Sequence, residues 1–285
     1  MAAITKNSEI LFIYDAKMSN PNGDMDNENK PRMDYDTGMN IVSDVRLKRY
    51  LRDYFETDCG KDIFVSDKAK DAKERGKQIN GRYKDMIDVR LFGAVFAATG
   101  GNDHLTGPVQ FNWGYSLNKV ELTDSNTITS SFSSGEGVGK DYRVKYSLIA
   151  FNGTVNAKTA AGTGLSDDDL SLFDKAMVEA IPLCKTRSKE GQTPRLYIRV
   201  EMKDDKVILK DLREYVDLKF VDLDSPEKDK EDFKVRGIRE CVLDLTRLGA
   251  YLNRYEQQIQ AVYYWADDEL KINGFDGIKI DKFKF

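Results

Sequence analysis

A regular pattern of apolar positions predicts a helix after an acidic loop near the start of the chain. Its apolar residues recur at i, i+4, i+7 and i+8, which places them on one helical face. They are Leu47, Leu51, Tyr54 and Phe55. Ser43 is a candidate N-cap, and Asp44 follows in the first turn, where a carboxylate complements the helix dipole. We expect a core-packed helix whose other side presents basic residues, namely Arg46, Lys48, Arg49 and Arg52.

Four further segments have the patterns of strands. Residues 10–14 (ILFIY) form a continuous apolar run, which is typical of a buried central strand. Apolar and polar residues alternate in 110–117 (QFNWGYSL), 142–148 and 195–202 (RLYIRVEM), as in half-buried strands. In the first of these, one predicted face holds Phe111, Trp113, Tyr115 and Leu117, and the small polar face holds Gln110, Asn112, Gly114 and Ser116.

The order of these elements predicts the fold class. A helix is expected from Ser166, through Leu170, Phe173, Met177 and Ile181, to Pro182. The charge-rich residues 57–84 form an insertion before a helix through Val89, Leu91, Phe92 and Val95. Near the C-terminus, residues 210–223 are strand-like and a helix is expected from Thr246 to about Trp265. The order βαββαβ predicts an α+β, ferredoxin-like fold of the kind shared by RNA-recognition modules.

Composition indicates a protein that is soluble and reduced. Of the 285 residues, 40% are hydrophobic and 32% charged, and no apolar run approaches the roughly 20 residues that span a bilayer. The first residues lack the basic stretch of a signal peptide. Cys59, Cys184 and Cys241 are isolated from one another, without the spacing of a zinc site or a disulfide framework. We therefore expect a cytoplasmic protein with no membrane contact, structural metal or cofactor.

The local distribution of positive charge matters more than the net charge of -4, which by itself weighs against nucleic acid. Three basic clusters occur. The first is the basic side of the helix that begins at Ser43, the second is Lys185, Arg187, Lys189 and Arg195 in one loop, and the third is Arg143 with Lys145 on one strand face. A single cluster is typical of a solvated surface. Three clusters around a sheet with a small polar face favour RNA binding, because phosphates require Lys, Arg and helix N-terminal amides.

The carboxylates of the acidic loop also have the composition of a metal-binding or catalytic site. Its DMDNENKPRMDYD stretch fails as an EF-hand, since Asn29 and Tyr35 occupy the positions that need Gly and Glu. Asp24, Asp26, Asp34 and Asp36 could hold Mg²⁺ or act as a base, but loop aspartates are usually turn formers. The single histidine, His104, lies in a turn-like stretch, so no catalytic triad is predicted. The glycines of SSGEGVGK lie between strands and fit no nucleotide-binding motif.

The stretch NPNGDMDNENKPRMDYDTGMNIVSDVRLKRYLRDY resembles the N-terminal signature of the Cas-seven backbone subunits of Cascade, the type I CRISPR surveillance complex. The segment SDVRLKRYLRDYF is most similar to the corresponding segment of subunits from the type I-B branch. The similarity continues in DVRLFGAV, GPVQFNWGYSLNKV and YSLIAFNGTVNA, and it covers most of the first 200 residues.

The resemblance implies a single hand-shaped domain. Its RNA-recognition-type palm would be 1–56, 107–117 and 142–222, its inserted helical fingers 57–106, its long β-hairpin thumb 118–146, and its C-terminal extension 223–285. Copies would stack along one guide RNA (crRNA) and present it for pairing with target DNA. The partners would be crRNA, neighbouring copies and other Cascade subunits, and the resemblance implies no catalytic role.

The clusters and the resemblance together give a set of candidate residues. For RNA they are Lys17, Asn20, Asn22, Arg32, Ser43, Arg46, Lys48, Arg49, Arg52, Gln110, Asn112, Arg143, Lys145, Lys185 and Arg187, and for the thumb Phe132, Gly135, Gly137 and Val138. Two alternatives stay open. Related type III backbone subunits cut target RNA with an aspartate in the corresponding loop, which would make this chain a metal-dependent ribonuclease. The second alternative is a ferredoxin-like module that contacts only proteins and no nucleic acid.

Overall fold

The computed structural model describes residues 2–98, 101–123, 127–129, 138–223, 230–275 and 277–283. The α-helices are α1 (Asp44–Thr57), α2 (Ala72–Gln78), α3 (Ile87–Phe92), α4 (Ala157–Thr163), α5 (Asp167–Leu183) and α6 (Thr246–Asn253). The strands are β1 (Ser8–Ser19), β2 (Gly23–Asp24), β3 (Lys30–Pro31), β4 (Met33–Asp34), β5 (Met39–Val42), β6 (Gly93–Ala98), β7 (Gly101–Thr106), β8 (Val109–Phe111), β9 (Gly114–Lys119), β10 (Thr127–Thr129), β11 (Val138–Lys140), β12 (Val144–Val155), β13 (Gln192–Met202), β14 (Asp217–Phe220), β15 (Cys241–Asp244), β16 (Ile259–Ala266), β17 (Lys271–Asn273) and β18 (Asp281–Lys282).

One large sheet organises the molecule, in the order β18-β16-β13-β1-β12-β9-β5-β4, with β8 also paired to β12. The central strand β1 is antiparallel to both β12 and β13. Its residues Ile10 to Tyr14 are at most 1% exposed, because both faces of the sheet are covered. The apolar run therefore forms the predicted buried central strand, and the α+β class with an antiparallel sheet is confirmed.

Two layers cover the two faces of this sheet. On one face, Phe12 and Tyr197 belong to a core shared with α1 and α5, represented by Leu47 and Phe173. On the other, Leu11, Ile13 and Leu148 belong to a core shared with the C-terminal part, represented by Leu243 and Leu248. A second sheet of order β14-β15-β17 belongs to this C-terminal layer.

The two long helices begin where the sequence predicts. The Ser43 hydroxyl accepts a hydrogen bond from the Arg46 backbone N–H at 3.3 Å, which caps α1. Ser166 and Asp169 form a capping box at the start of α5, and this helix ends at Leu183, one residue after Pro182.

The helix predicted through Val95 ends earlier, at Phe92. Gly93 has φ +73, and a Cβ there would lie 2.0 Å from the Leu105 carbonyl oxygen. The chain therefore turns into the hairpin β6–β7, in which Val95 pairs with His104. The turn-like surface expected around His104 is a strand.

The predicted strand 110–117 is interrupted, which reverses its faces. Phe111 pairs with Gly153 of β12, whereas Tyr115 pairs with Ala150. From the first pair to the second, the chain advances four residues on the side of Phe111 and Tyr115 but only three on β12. The one extra residue is accommodated as in a β-bulge. After the break Gly114 and Ser116 face inward, and Trp113 and Tyr115 are each 44% exposed. The prediction that both rings share the face of Phe111 is wrong.

The C-terminal prediction is wrong after residue 253. Helix α6 ends at Asn253, and Ile259–Ala266 is strand β16, with Tyr264 paired to Ile198 of β13. Its run of Val, Tyr and Trp suits a strand better than a helix. The strand-like segment 210–223 contains a 3-10 helix, Leu212–Tyr215, before β14.

The expected thumb is described in part. β10 and β11 form an antiparallel pair in which Ile128 pairs with Gly139. Phe132, Gly135 and Gly137 lie outside the described residues, and Val138 is the first residue of β11. Separately, the helices of the described chain include none long and apolar enough to cross a membrane.

Candidate nucleic-acid interface

The acidic loop folds back onto the start of α1 through its amide side chains. The Asn22 Oδ1 atom accepts hydrogen bonds from the Ser43 backbone N–H at 2.8 Å and from its hydroxyl at 2.9 Å. The Asn20 amide donates to the Asn29 carbonyl at 2.8 Å. These two amides therefore shape the loop, and the buried Oδ1 of Asn20 has no hydrogen-bond partner in the described parts of the chain.

The basic loop after α5 lies alongside. The Lys17 backbone N–H donates to the Gly191 carbonyl at 2.8 Å, and the Asn20 N–H donates to the Ser188 carbonyl at the same distance. The Lys189 ammonium donates to the carbonyls of Asn20 and Pro21. We call the surface formed by these two loops and the first turn of α1 the loop face. It contains Lys17, Asn20, Asn22, Ser43, Arg46, Lys185 and Lys189.

Two largely desolvated cations share the loop face. The Arg46 guanidinium lies 3.9 Å from the ring centroid of Tyr50 and donates to the Cys184 Sγ at 3.7 Å. Its Nε has no hydrogen-bond partner among the described residues. Burial, together with the charge of Arg46, lowers the pKa of Lys189 to about 8.

Neither cation has an ion pair with a described carboxylate, although Glu190 lines the adjoining cavity. Buried charges in proteins are normally paired, because removing an ion from water is costly. The loop face therefore carries positive charge that an external anion can neutralise.

The other cations of α1 have carboxylate partners. Lys48 pairs with Asp44 at 2.9 Å, and the Arg49 Nε donates to the Asp53 Oδ1 at 2.7 Å. Arg52 and Lys48 are each only 9% exposed. The expectation that the four basic residues project together from the back of α1 is therefore wrong, and Arg46 alone lies at the loop face.

Arg52 has a structural contact instead. Its Nε donates to the fully buried Asp88 at 3.0 Å. The same carboxylate accepts the backbone N–H groups of Phe64 and Val65. This ion pair joins α1 to the insertion.

The remaining candidates are divided between the loop face and other surfaces. Arg143 and Arg187 share the carboxylate of Asp141, and Arg143 also donates to the Met18 carbonyl at 2.9 Å, which places both beside the loop face. Lys145 pairs with Glu121 and Arg32 with Asp24. Gln110 and Asn112 are exposed elsewhere, with the Gln110 Oε1 3.5 Å from the Lys48 ammonium.

The loop aspartates have the contacts of turn formers. The Asp34 carboxylate accepts hydrogen bonds from the Asp36 and Thr37 backbone N–H groups and from the Thr37 hydroxyl, and these bonds lower its pKa. Asp24 pairs with Arg32 at 3.0 Å. In the described ranges, no group of three His, Cys, Asp or Glu side chains is placed to hold a metal ion.

Sequence reasoning missed the inner part of the loop face. Lys189 belongs to the predicted basic cluster but is not among the predicted RNA contacts, although its position in the loop between Lys185 and Arg195 is a signal. Tyr50 and Gln192 lie beneath Arg46, with the Tyr50 hydroxyl donating to the Gln192 Oε1 at 2.9 Å. No sequence pattern indicates this contact, because the two residues are 142 positions apart.

The sheet face that RNA-recognition modules use for base stacking is closed here. Such modules stack bases on aromatic residues of the open sheet face. In this chain Leu11, Ile13 and Leu148 on that face are fully buried beneath the C-terminal layer. The margin at β9 and β5 is less covered: there Tyr115 is exposed and Ile41 half-buried.

Comparisons with known proteins agree with one another. The family model for CRISPR-associated protein Cas7 matches residues 6–240. The CRISPR-associated protein Cas7 of Haloferax volcanii is 32% identical over an alignment 321 positions long, which covers 97% of this chain and 92% of the relative.

Solved structures share the fold. A chain of a CRISPR RNA-guided surveillance complex has a TM-score of 0.58 at 16% identity, with 98% of this chain and 95% of the other covered. A second, from such a complex in a pre-nicking state, has a TM-score of 0.53 at 13% identity, with 93% and 95% covered. The length of the family match and the identity to the relative establish that the chain belongs to the Cas7 family of CRISPR-associated proteins.

Proposed function

We propose that this protein binds crRNA as a non-catalytic backbone subunit of a CRISPR RNA-guided surveillance complex in the cytoplasm. Several copies stack along one guide and present it for pairing with target DNA. The family membership supports the kind of complex, and the loop face supports the ligand.

The observation that carries the proposal is the pair Arg46 and Lys189. Two desolvated cations without a carboxylate partner fit a phosphate, which accepts hydrogen bonds from both. Lys17 and Lys185 are exposed around them and make no ion pair with a described residue, so they extend the positive surface. Phosphate contacts hold a strand without regard to sequence, as a subunit that accepts any spacer requires.

The topology supports a ferredoxin-like palm. The strands β13-β1-β12-β9 are neighbours in this order, with α1 between β1 and β9 in sequence and α5 between β12 and β13. These six elements have the arrangement of a split βαβ pair. In this proposal the hairpin β10–β11 is the thumb. Lys140 of β11 pairs with Glu28 of the acidic loop at 2.6 Å, and further contacts of the thumb are made with the next copy or the RNA.

RNA binding is tested with two unrelated single-stranded RNA sequences across a salt series. Arg46→Ala and Lys189→Ala should weaken binding to both sequences alike, because phosphates are common to both. Arg49→Ala is the matched control, since Arg49 lies on the same helix with Asp53 as its partner. Equal loss from all three variants, or loss for one sequence alone, would contradict the assignment.

Stacking is tested through the thumb. Replacing residues 124–139 with a short turn should leave the monomer folded and able to bind a short RNA. The same variant should fail to assemble cooperatively on a longer guide. Normal filaments by electron microscopy would remove the thumb from the proposal.

A further inference from the structure

The exposed rings of Trp113 and Tyr115 belong to a surface that the phosphate contacts do not explain. Both lie at the break between β8 and β9, and each is 44% exposed. Single exposed apolar side chains are ordinary in soluble proteins. Two exposed aromatic rings two residues apart, Trp113 in the break and Tyr115 on β9, are a more specific arrangement.

Packing of other aromatic residues forces these rings outward. A Cβ on Gly114 would lie 2.4 Å from the ring of Phe151, and one on Gly153 would lie 2.5 Å from the ring of Phe111. The helix-side core therefore occupies the inward positions at this break. Because neighbouring residues on a strand point to opposite faces, Trp113 and Tyr115 are directed away from that core.

The strand register brings Trp113 next to the start of α1. Ile41 pairs with Tyr115, and Val42 pairs with Gly114. One further antiparallel step sets Trp113 across from Ser43, the N-cap of α1. Ser43 in turn is bonded to Asn22 of the loop face, so the rings adjoin the proposed path of the RNA backbone.

Polar groups around the rings suit a nucleobase. The Arg213 guanidinium lies 5.8 Å from the Tyr115 ring centroid, and its Nη1 donates to the Trp113 carbonyl at 2.7 Å. Asn112 is exposed between the strands, and its side-chain amide has no hydrogen bond within the described ranges. An amide can donate to and accept from a base edge, while a ring or guanidinium contacts the base face.

We propose that Trp113 and Tyr115 form a stacking platform for unpaired bases of the RNA whose phosphates lie at the loop face, an inference that rests on the proposed function. The C-terminal layer buries Leu11 and Leu148 on this sheet face but leaves Tyr115 exposed at the margin, where a base can reach its ring. Stacking accepts every base, because each has a π-face, and so it suits a guide of any sequence.

The test pairs protein variants with an RNA in which several bases are replaced by abasic sites. Wild-type protein should bind intact single-stranded RNA more tightly than abasic RNA. Trp113→Ala and Tyr115→Ala should each lose about 5- to 150-fold in affinity for intact RNA, which is the range for one stacked base, and little for abasic RNA. Trp113→Phe and Tyr115→Phe should restore most of the difference, and retained binding to abasic RNA should show that the alanine variants fold.

A direct signal is available because the chain has only two tryptophans, Trp113 and Trp265. In a Trp265→Phe variant, RNA binding should quench the fluorescence of Trp113, whereas abasic RNA should not. Absence of any RNA binding would contradict the proposed function itself. Binding that is equal for intact and abasic RNA and unchanged in the alanine variants would overturn the platform alone. Unchanged RNA affinity with lost association between protein chains would assign the surface to a protein contact and equally overturn it.

Discussion

The first turn and the middle of α1 hold the same residue type in opposite circumstances. Arg46, in the first turn, lies over Tyr50 with its Nε unpartnered among the described residues. Arg52, less than two turns later, is bound to the fully buried Asp88. The first turn has positive charge available for a ligand, whereas the charge of Arg52 attaches the insertion to the middle of the helix. A basic residue on a helix is thus available to a ligand only where the fold supplies no carboxylate.

The largest expected effect is on stability, at the ion pair of Arg52 and Asp88. Asp88→Ala removes the partner of Arg52 and of two backbone N–H groups, and leaves the guanidinium buried and unpaired. Breaking a buried pair in this way costs about 3–5 kcal/mol of unfolding free energy. Denaturant unfolding measures the loss, and RNA affinity per folded molecule should not change. Loss of RNA affinity without loss of stability would contradict the structural role of Arg52 and make it an RNA contact instead.

At the Arg46 end the expected effect is on RNA. Arg46→Ala should lower affinity by about tenfold or more, since hydrogen bonds to charged groups contribute about 1.5–3 kcal/mol. It should also flatten the slope of log affinity against log salt by about 0.7 for one lost phosphate contact on a single strand. A fluorescence-anisotropy titration at several salt concentrations checks both values. An unchanged slope would contradict a phosphate at Arg46.

Lys189 should make RNA affinity depend on pH. Its pKa is lowered to about 8 in the free protein, and a bound phosphate raises it, so binding takes up a proton above that pH. The contribution of Lys189 is therefore complete below pH 8 and is lost as the pH rises through the pKa of the complex. Lys189→Arg keeps its charge at these pH values and should remove this dependence. Identical pH profiles for both proteins would exclude Lys189 from the contact.

The smallest effects are expected for the loop carboxylates. Asp26→Asn and Asp36→Asn change exposed residues and should alter stability by about 0.5 kcal/mol or less. With labelled complementary RNA and Mg²⁺, wild-type protein and both variants should give the same uncut product on a gel. Cleavage by the wild type that one of these variants lacks would favour the ribonuclease alternative.

Sequence reasoning succeeded where one local pattern decides the structure. The apolar run at residues 10–14 is a central strand, and Ser43 and Ser166 cap the two long helices. Prediction failed where the local structure depends on contacts between residues that are far apart in the sequence. The break before Gly114 depends on the Phe151 ring, and the early end of α3 depends on the approach of Leu105 to Gly93.

The same limit applies to the site. The sequence places Asn20, Asn22 and Arg46 in one region, and the fold brings them together. The sequence gives no indication that Arg52 pairs with Asp88, because that contact depends on how the insertion packs on α1. The positive charge of a residue can be predicted, whereas its neutralisation depends on the tertiary structure.

The edge strands of the main sheet have a consequence for copies of the protein that lie close together. The sheet ends at β4 on one side and β18 on the other, and each of these strands is two residues long. Long flat edge strands are templates for pairing with another chain, and short ones protect against it. If copies gather on one RNA, their local concentration is high, which is the condition that promotes β-aggregation. Strands as short as β4 and β18 offer few backbone groups for such pairing, so neighbouring copies can lie side by side without fusing their sheets.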